Sequence, residues 1–258
     1  MPTNIIGTTL NNRFRIDQEV GGGAVATVYR GTDLQTNAVV AIKRLLDTAK
    51  QADEAQITRF ERESQAMETL SHPNIVNVID TIFIGNDHFI VMDYVEGGSL
   101  SNLLEQRQQL DIPYALQIAH DIASAMVLVH DEDIIHRDIK PDNVLIGRDG
   151  HARLTDFGMA RFTYMSRLTR KDLMVGSLMY MAPEQFRTGE AVKQSDIWQF
   201  GIMFYEILTG KKPFKQPAAI ITSPHPPLTH TRTEPSPELS ALRDYLLEQD
   251  PKQRIRSS

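Results

Sequence analysis

An α+β fold in two lobes is what this 258-residue sequence predicts, and three observations predict it. The texture changes near residue 94: residues 13–93 read mostly as strands with one helix, and residues 99–258 read mostly as helices. No proline-, glycine- or serine-rich linker long enough to separate independent domains falls between the two textures, and no internal repeat is present. Hydrophobic content of 41% and charged content of 23% sit near globular averages, and the length is enough to bury a substantial core.

The first part is read element by element. Phe14, Ile16 and Val20 lead into a glycine cluster, and Thr27-Val28-Tyr29 resumes an extended pattern, which makes a hairpin closed by glycines. Ala38 to Leu46 is a third strand, rich in β-branched residues near its start. From Glu54 to Leu70 the apolar positions Ile57, Phe60, Met67 and Leu70 follow a helical period, and Ser71-His72-Pro73-Asn74 stops that helix. Extended runs follow at Ile75–Ile84 and His88–Val95, and Glu96-Gly97-Gly98 reads as a hinge.

In the second part Ala115, Ile118, Ala119, Ile122, Ala125, Met126 and Val129 step by threes and fours, giving an amphipathic helix. Asn143–Ile146 and Ala152–Thr155 are short strands around the turn Arg148-Asp149-Gly150. Residues 195–208 are apolar nearly all round, the pattern of a helix buried in a large core. Residues 215–237 hold six prolines and little periodicity and read as mainly loop. Glu238–Glu248 is a last helix started from Ser236-Pro237.

Composition excludes several classes of function. With no cysteine there are no disulfides, thiolate metal sites or cysteine nucleophiles. Lys and Arg number 27 against 33 Asp and Glu, and the resulting −6 argues against nucleic acid or an anionic membrane surface as the main partner. No apolar run reaches the ~20 residues of a membrane span, and Met1-Pro2-Thr3-Asn4 lacks the pattern of a signal peptide. The expectation is a soluble, mildly acidic, cytoplasmic protein.

The residues that carry chemistry begin at Gly21-Gly22-Gly23, after Val20, where a strand turns back on itself. Glycines let backbone N–H groups approach an anion closely, but Ala26 replaces the third glycine of G-x-G-x-x-G, and triplets also occur in plain hairpins. Strand rather than helix follows, against a dinucleotide fold, and no Gly-Lys-Ser/Thr is present. Lys43, flanked by Val40-Ala41-Ile42, is either an edge-strand lysine reaching water or a cation for phosphates. Glu63 is the carboxylate to hold it, with Phe60 and Met67 on its helix face; Glu61 and Glu68 are the rivals.

The decisive run is His136-Arg137-Asp138-Ile139-Lys140-Pro141-Asp142-Asn143, followed by Asp156-Phe157-Gly158 and then Ala182-Pro183-Glu184. These match H-R-D-x-x-x-x-N, D-F-G and A-P-E in order, and the chain here resembles the eukaryotic-type (Hanks-type) protein serine/threonine kinase catalytic domain, with bacterial traits. The resemblance covers residues 13–256 and implies the bilobal protein-kinase fold: a β-rich N-lobe with one regulatory helix at 13–93, a hinge at 93–98 and a mainly helical C-lobe at 99–256. It implies ATP with Mg²⁺, or Mn²⁺, as cofactors and proteins as substrates. Asp138 would accept or orient the substrate hydroxyl proton, Lys140 would reach the γ-phosphate, Asn143 and Asp156 would hold the metal, Lys43 would hold the α/β-phosphates and Glu63 would pin Lys43. Met92 would be the gatekeeper, the backbone of Asp93 and Val95 would face adenine, and Val28, Ala41 and Leu145 would sandwich the purine. Glu184 would pair structurally with Arg254, and His136 would be a structural hydrogen-bonder, since Asp138 already fills the role of base.

Lys140 and Gly176-Ser177-Leu178-Met179-Tyr180 resemble serine/threonine rather than tyrosine kinases. Thr169 or Ser166 is the expected autophosphorylation site, with Asp172 as a permanent weak substitute and a homodimer serving transfer in trans. Two departures from the family stand out. Phe214 to Pro237 is short, so the helix usual there is reduced or absent, and the chain stops four residues past Arg254, where one more helix is normal. The chain is then a fragment, such as the cytoplasmic domain of a longer membrane protein, or a trimmed lobe whose exposed apolar surface predicts lower stability or a covering partner. Two competing readings are a pseudokinase, against which Lys43, Asp138 and Asp156 stand intact, and a small-molecule phosphotransferase, which usually lacks A-P-E.

Overall fold

The computed structural model describes residues 5–22, 26–45, 68, 70–85, 87–157, 176, 178–228 and 235–255. Among these, the residues up to His72 together with Val76–Val95 form one compact unit, and Pro73–Ile75 with the residues from Glu96 onward form a second.

The first unit is a six-stranded antiparallel sheet of β1 (Thr9–Leu10), β2 (Phe14–Gly22), β3 (Ala26–Asp33), β4 (Val39–Leu45), β5 (Val78–Ile84) and β6 (Asp87–Asp93), in the order β1-β2-β3-β4-β6-β5. Period-two alternation sorts its side chains. Phe14, Ile16, Tyr29, Val40, Ile42, Phe89 and Val91 form the buried core, and the alternate positions of β4, Ala41 and Lys43, lie on the opposite face. Cross-strand partners share a face, so the pairings Val28–Lys43, Lys43–Ile90 and Ala41–Met92 place these residues on one surface. Gly31 is fixed by packing: a Cβ there would lie 2.5 Å from Ile42 Cδ1 and 2.6 Å from the Arg15 carbonyl oxygen.

The second unit contains α1 (Leu100–Arg107), α2 (Ile112–Asp131), a 3₁₀ turn (Pro141–Asn143), the hairpin β7 (Val144–Ile146) and β8 (Ala152–Leu154), and then α3 (Pro183–Thr188), α4 (Lys193–Thr209), α5 (Pro217–Thr222) and α6 (Pro237–Leu246). α1 starts at Ser99, whose Oγ accepts from Asn102 N at 3.1 Å, and α6 starts at Ser236, which caps Leu239 N at 3.3 Å. α2 is long and apolar enough to cross a membrane by length and composition, yet the predicted stripe from Ala115 to Val129 is buried in the protein core. α4 is buried from Ser195 through Tyr205. Gly201 gives it the room it needs, since a Cβ there would lie 2.9 Å from Leu246 Cβ.

Three elements differ from or add to the expectation. Residues 215–237 hold one short helix inside the expected loop, because Pro217 occupies the first turn of α5, where its missing N–H is harmless, and Ile220 anchors the helix in the core. The run from Ile75 enters the ladder only at Val78; Ile75 instead makes an isolated parallel bridge to Leu154. β1 carried no sequence signal, since two residues cannot display a period. The helix expected over Glu54–Leu70 falls almost entirely outside the described residues.

Candidate active site

The segment from His136 to Asn143 is held by side chains rather than by a ladder. His136 N and Arg137 N donate to the two oxygens of Asp196 at 2.8 and 2.7 Å, and Ile139 N donates to Gln199 Oε1 at 2.8 Å. Gln199 Nε2 donates back to the Arg137 carbonyl at 2.9 Å. Asp196 and Gln199 stand three residues apart on one face of α4. Asp196 is 0% exposed and also meets His130 Nε2 at 2.9 Å. These bonds satisfy a buried irregular backbone, and they hold Arg137 at a φ of +72°, a left-handed conformation that arginine rarely adopts.

His136 is a positioner. Its Nδ1 accepts from Asp138 N at 3.3 Å, so Nε2 carries the proton and donates to the Thr155 carbonyl at 2.9 Å. Burial pushes its pKa below the ordinary value, consistent with a neutral ring, and the ring lies 4.6 Å from that of Phe157. The structure therefore uses His136 to fix the backbone at Asp138 and at the strand end before Asp156.

Asp138, Lys140 and Asn143 come together. Asp138 Oδ2 accepts from Lys140 Nζ at 2.7 Å and from Asn143 Nδ2 at 3.0 Å, and Asn143 Nδ2 also donates to the Asp138 carbonyl at 2.7 Å. The amide nitrogen of Asn143 is thus committed to Asp138, which leaves its carboxamide oxygen as the donor atom for a ligand. Thr155 N donates to the Asn143 carbonyl at 3.0 Å, so Asn143 and Asp156 flank the open end of the β7–β8 hairpin. Asp156 has a φ of +66°. Two hard oxygen donors suit Mg²⁺, which keeps waters and phosphate oxygens in its shell. Among the described residues no group of three or more His, Cys, Asp or Glu is placed to hold a metal ion.

In the first unit, Val28, Ala41, Lys43 and Met92 share one sheet face by register. Gly21 and Gly22 end β2, and among the described residues a Cβ on Gly21 would meet nothing within 4 Å. Val20 sits at a register shift and is 44% exposed. The N–H of Asp93 donates to the Asn77 carbonyl at 3.0 Å. Val95 is half-buried at the end of the unit. In the second unit Leu145 lies on the face of β7 opposite the buried Val144 and Ile146. Gly23, Glu63, Ser166 and Thr169 lie outside the described residues.

Glu184 and Arg254 form a two-pronged pair, Nη1–Oε1 at 2.8 Å and Nη2–Oε2 at 3.2 Å, joined by Ser195 Oγ at 2.8 Å. Burial pushes the Glu184 carboxyl up, but the guanidinium and the hydroxyl outweigh burial and hold it below its ordinary value. Arg254 also lies over the Trp198 ring at 5.2 Å. Sequence reasoning missed Asp196, Gln199 and a buried group in which Tyr180 donates its hydroxyl to Glu206 with Lys212 Nζ 4.9 Å above the Tyr180 ring. One signal was available: charged residues in a helix that is apolar nearly all round must be paired.

The family described as the protein kinase domain matches residues 14–258. A probable serine/threonine-protein kinase PknB of Lactococcus lactis is 41% identical over 216 residues, covering 83% of this chain and 34% of that protein. The serine/threonine-protein kinase PrkC of Bacillus subtilis is 40% identical over 217 residues, covering 84% of this chain and 33% of that one. The chain thus spans about one third of the length of these relatives. A crystal structure of Rad53 1-466 in complex with AMP-PNP superposes with a TM-score of 0.76 at 29% identity, covering 95% of this chain and 63% of that one.

Proposed function

This chain belongs to the protein kinase domain family, and we propose on that premise that it transfers the γ-phosphate of ATP to serine and threonine hydroxyls of proteins. The observation that carries the proposal is the Asp138 carboxylate, held between Lys140 Nζ and Asn143 Nδ2 on a backbone locked by Asp196 and Gln199. Phosphoryl transfer needs positioning and charge neutralisation more than covalent help. Asp138 orients the attacking hydroxyl and takes its proton on a carboxylate oxygen. Lys140 places a cation where charge gathers on the transferred group. Lys43 holds the α- and β-phosphates with Glu63 as its partner, and Val28, Ala41 and Met92 on the same face give a purine an apolar surface. Asn143 and Asp156 hold the divalent ion, which when bound supplies neutralisation of phosphate charge.

Thr169 or Ser166 is the proposed acceptor of autophosphorylation, in trans within a homodimer, and the chain works on the cytoplasmic side of a membrane or free in the cytoplasm. The test is incubation of purified protein with labelled ATP and Mg²⁺, wild type beside Asp138→Asn, read by intact mass and peptide mapping. Phosphate on serine or threonine in the wild type alone is the expected result. Nucleotide binding without transfer to this chain or to a generic protein substrate would overturn the proposal in favour of a binding role.

A further inference from the structure

The β7–β8 hairpin is three residues per strand, and an isolated two-stranded hairpin of that size is marginal in water. Yet its open end carries Asn143 and Asp156, whose separation depends on the register of the two strands. A one-residue slip of β8 would bring Phe157 to the place of Asp156 and turn every side chain of the strand to the other face. Something outside the hairpin must hold that register.

Backbone holds it at Leu154, through the bridge to Ile75 and the N–H donated to the Asn74 carbonyl at 2.8 Å, and side chains hold it at the wholly buried Ala152. Its N–H donates to Asp121 Oδ2 at 2.9 Å, and its carbonyl accepts from Asn74 Nδ2 at 3.0 Å. Both grips come from side chains that belong to neither strand. Asp121 is 4% exposed on α2, and the same oxygen meets His151 Nδ1 at 3.0 Å. Tyr114 Oη and Gln117 Nε2, on the same face of α2, reach the Gly150 carbonyl at 3.4 and 3.2 Å. α2 therefore grips the turn and the first residue of β8 at three consecutive helical steps. A buried carboxylate within the apolar stripe of a core helix has no packing reason to be there.

We propose that Asp121 is a positioning residue for metal–nucleotide binding: by holding the Ala152 N–H it sets the register of β8 and with it the placement of Asp156 relative to Asn143. The inference rests on the reading of Asn143 and Asp156 as the metal-holding pair. It does not make Asp121 a ligand, since the carboxylate lies at the far end of the strand from Asp156.

The test is calorimetric titration of the whole chain with AMP-PNP, with and without Mg²⁺, combined with amide hydrogen exchange over residues 150–155. Loss of an outer partner of a metal ligand typically weakens metal affinity about 10–100-fold. Asp121→Ala is expected to weaken AMP-PNP binding about tenfold in Mg²⁺, to leave metal-free binding unchanged, and to speed exchange at Ala152. Asp121→Asn keeps an oxygen for the Ala152 N–H and restores most of both. Should Asp121→Ala fail to fold, Tyr114→Phe with Gln117→Ala releases the Gly150 grip, and the same Mg²⁺-selective weakening, smaller in size, is expected. Unchanged Mg²⁺-dependent binding in these variants overturns the inference alone. A wild type whose AMP-PNP affinity ignores Mg²⁺ overturns the metal-site reading and the inference together.

Discussion

The loop from His136 to Asn143 and the strand around Lys43 carry two parts of the proposed chemistry and are held by opposite means. The loop has almost no backbone ladder, and its shape is the sum of individual side-chain bonds from Asp196, Gln199, His136 and Asn143. In the strand, main-chain pairing with β3 and β6 sets the place of Lys43 while Val40 and Ile42 bury the other face, and its neighbours on the sheet face follow from a period of two. A loop built this way is specified letter by letter, so single substitutions should break either its chemistry or one defined bond. A strand built by register should lose a side chain's function and keep its shape.

The sharpest way to break this comparison is Asp138→Asn. The amide keeps an oxygen to accept from Lys140 and Asn143, so the loop keeps its bonds, while the proton acceptor is gone. Transfer should fall by about 10³–10⁴-fold, the upper range for loss of a general base, with AMP-PNP binding and thermal midpoint unchanged. Surviving transfer would make the loop a scaffold and nothing more. Next in size is Arg254→Ala, which strands the Glu184 carboxylate inside the protein. Breaking one side of a buried pair costs about 3–5 kcal/mol, to be read from urea midpoints at pH 7. The pH dependence follows from the direction of the shift. Glu184 is held below its ordinary value of 4.5, so the pair's contribution is complete above that pH and fades as pH falls through the lower folded value. The variant should therefore lie closest to the wild type in acid.

Lys43→Met tests the other half. The β3–β4–β6 ladder is main-chain, so the sheet should fold with an unchanged midpoint, and transfer should drop about 10²-fold through loss of a phosphate-facing cation. A large fall in stability instead would show that the strand, like the loop, depends on its side chain.

The same contrast explains what was legible in the sequence. Asp138, Lys140 and Asn143 sit within six residues, and a contiguous motif exposes such a cluster directly. The face shared by Val28, Ala41, Lys43 and Met92 follows once strands are recognised, since alternation does the rest. The anchors were hidden because they act at long range: Asp196 reaches back 59 residues to Arg137, and Asp121 reaches 31 forward to Ala152. A helix apolar nearly all round reads as core, and its polar members look like exceptions instead of the reason the loop holds. The pairing of Glu184 with Arg254, 70 residues apart, came only through resemblance. α5 was lost to the proline count, although proline at a first turn favours a helix rather than forbidding one.

The smallest predicted effect asks whether the anchoring face of α4 extends past the loop. Asp196, Gln199 and Glu206 lie along one side of that helix, and Glu206 takes the Tyr180 hydroxyl just before the Ala182-Pro183-Glu184 turn. Burial pushes both groups up, the Glu206 carboxyl above its ordinary value of 4.5 and the Tyr180 phenol above its usual range. Because Glu206 binds its proton more tightly folded than unfolded, its contribution to stability falls as pH rises from 4.5 through the raised folded value. The Tyr180 hydroxyl limits that fall by donating to the charged form. Tyr180→Phe should thus cost little at a pH below the raised value, where the carboxyl is protonated, and about 1 kcal/mol at a pH above it, at the low end for a lost buried bond because Lys212 Nζ remains 3.9 Å from Glu206 Oε1. Urea midpoints at the two pH values read the difference. A gap that does not widen with pH would mean that Glu206 is not what Tyr180 serves, and that α4 anchors the loop alone.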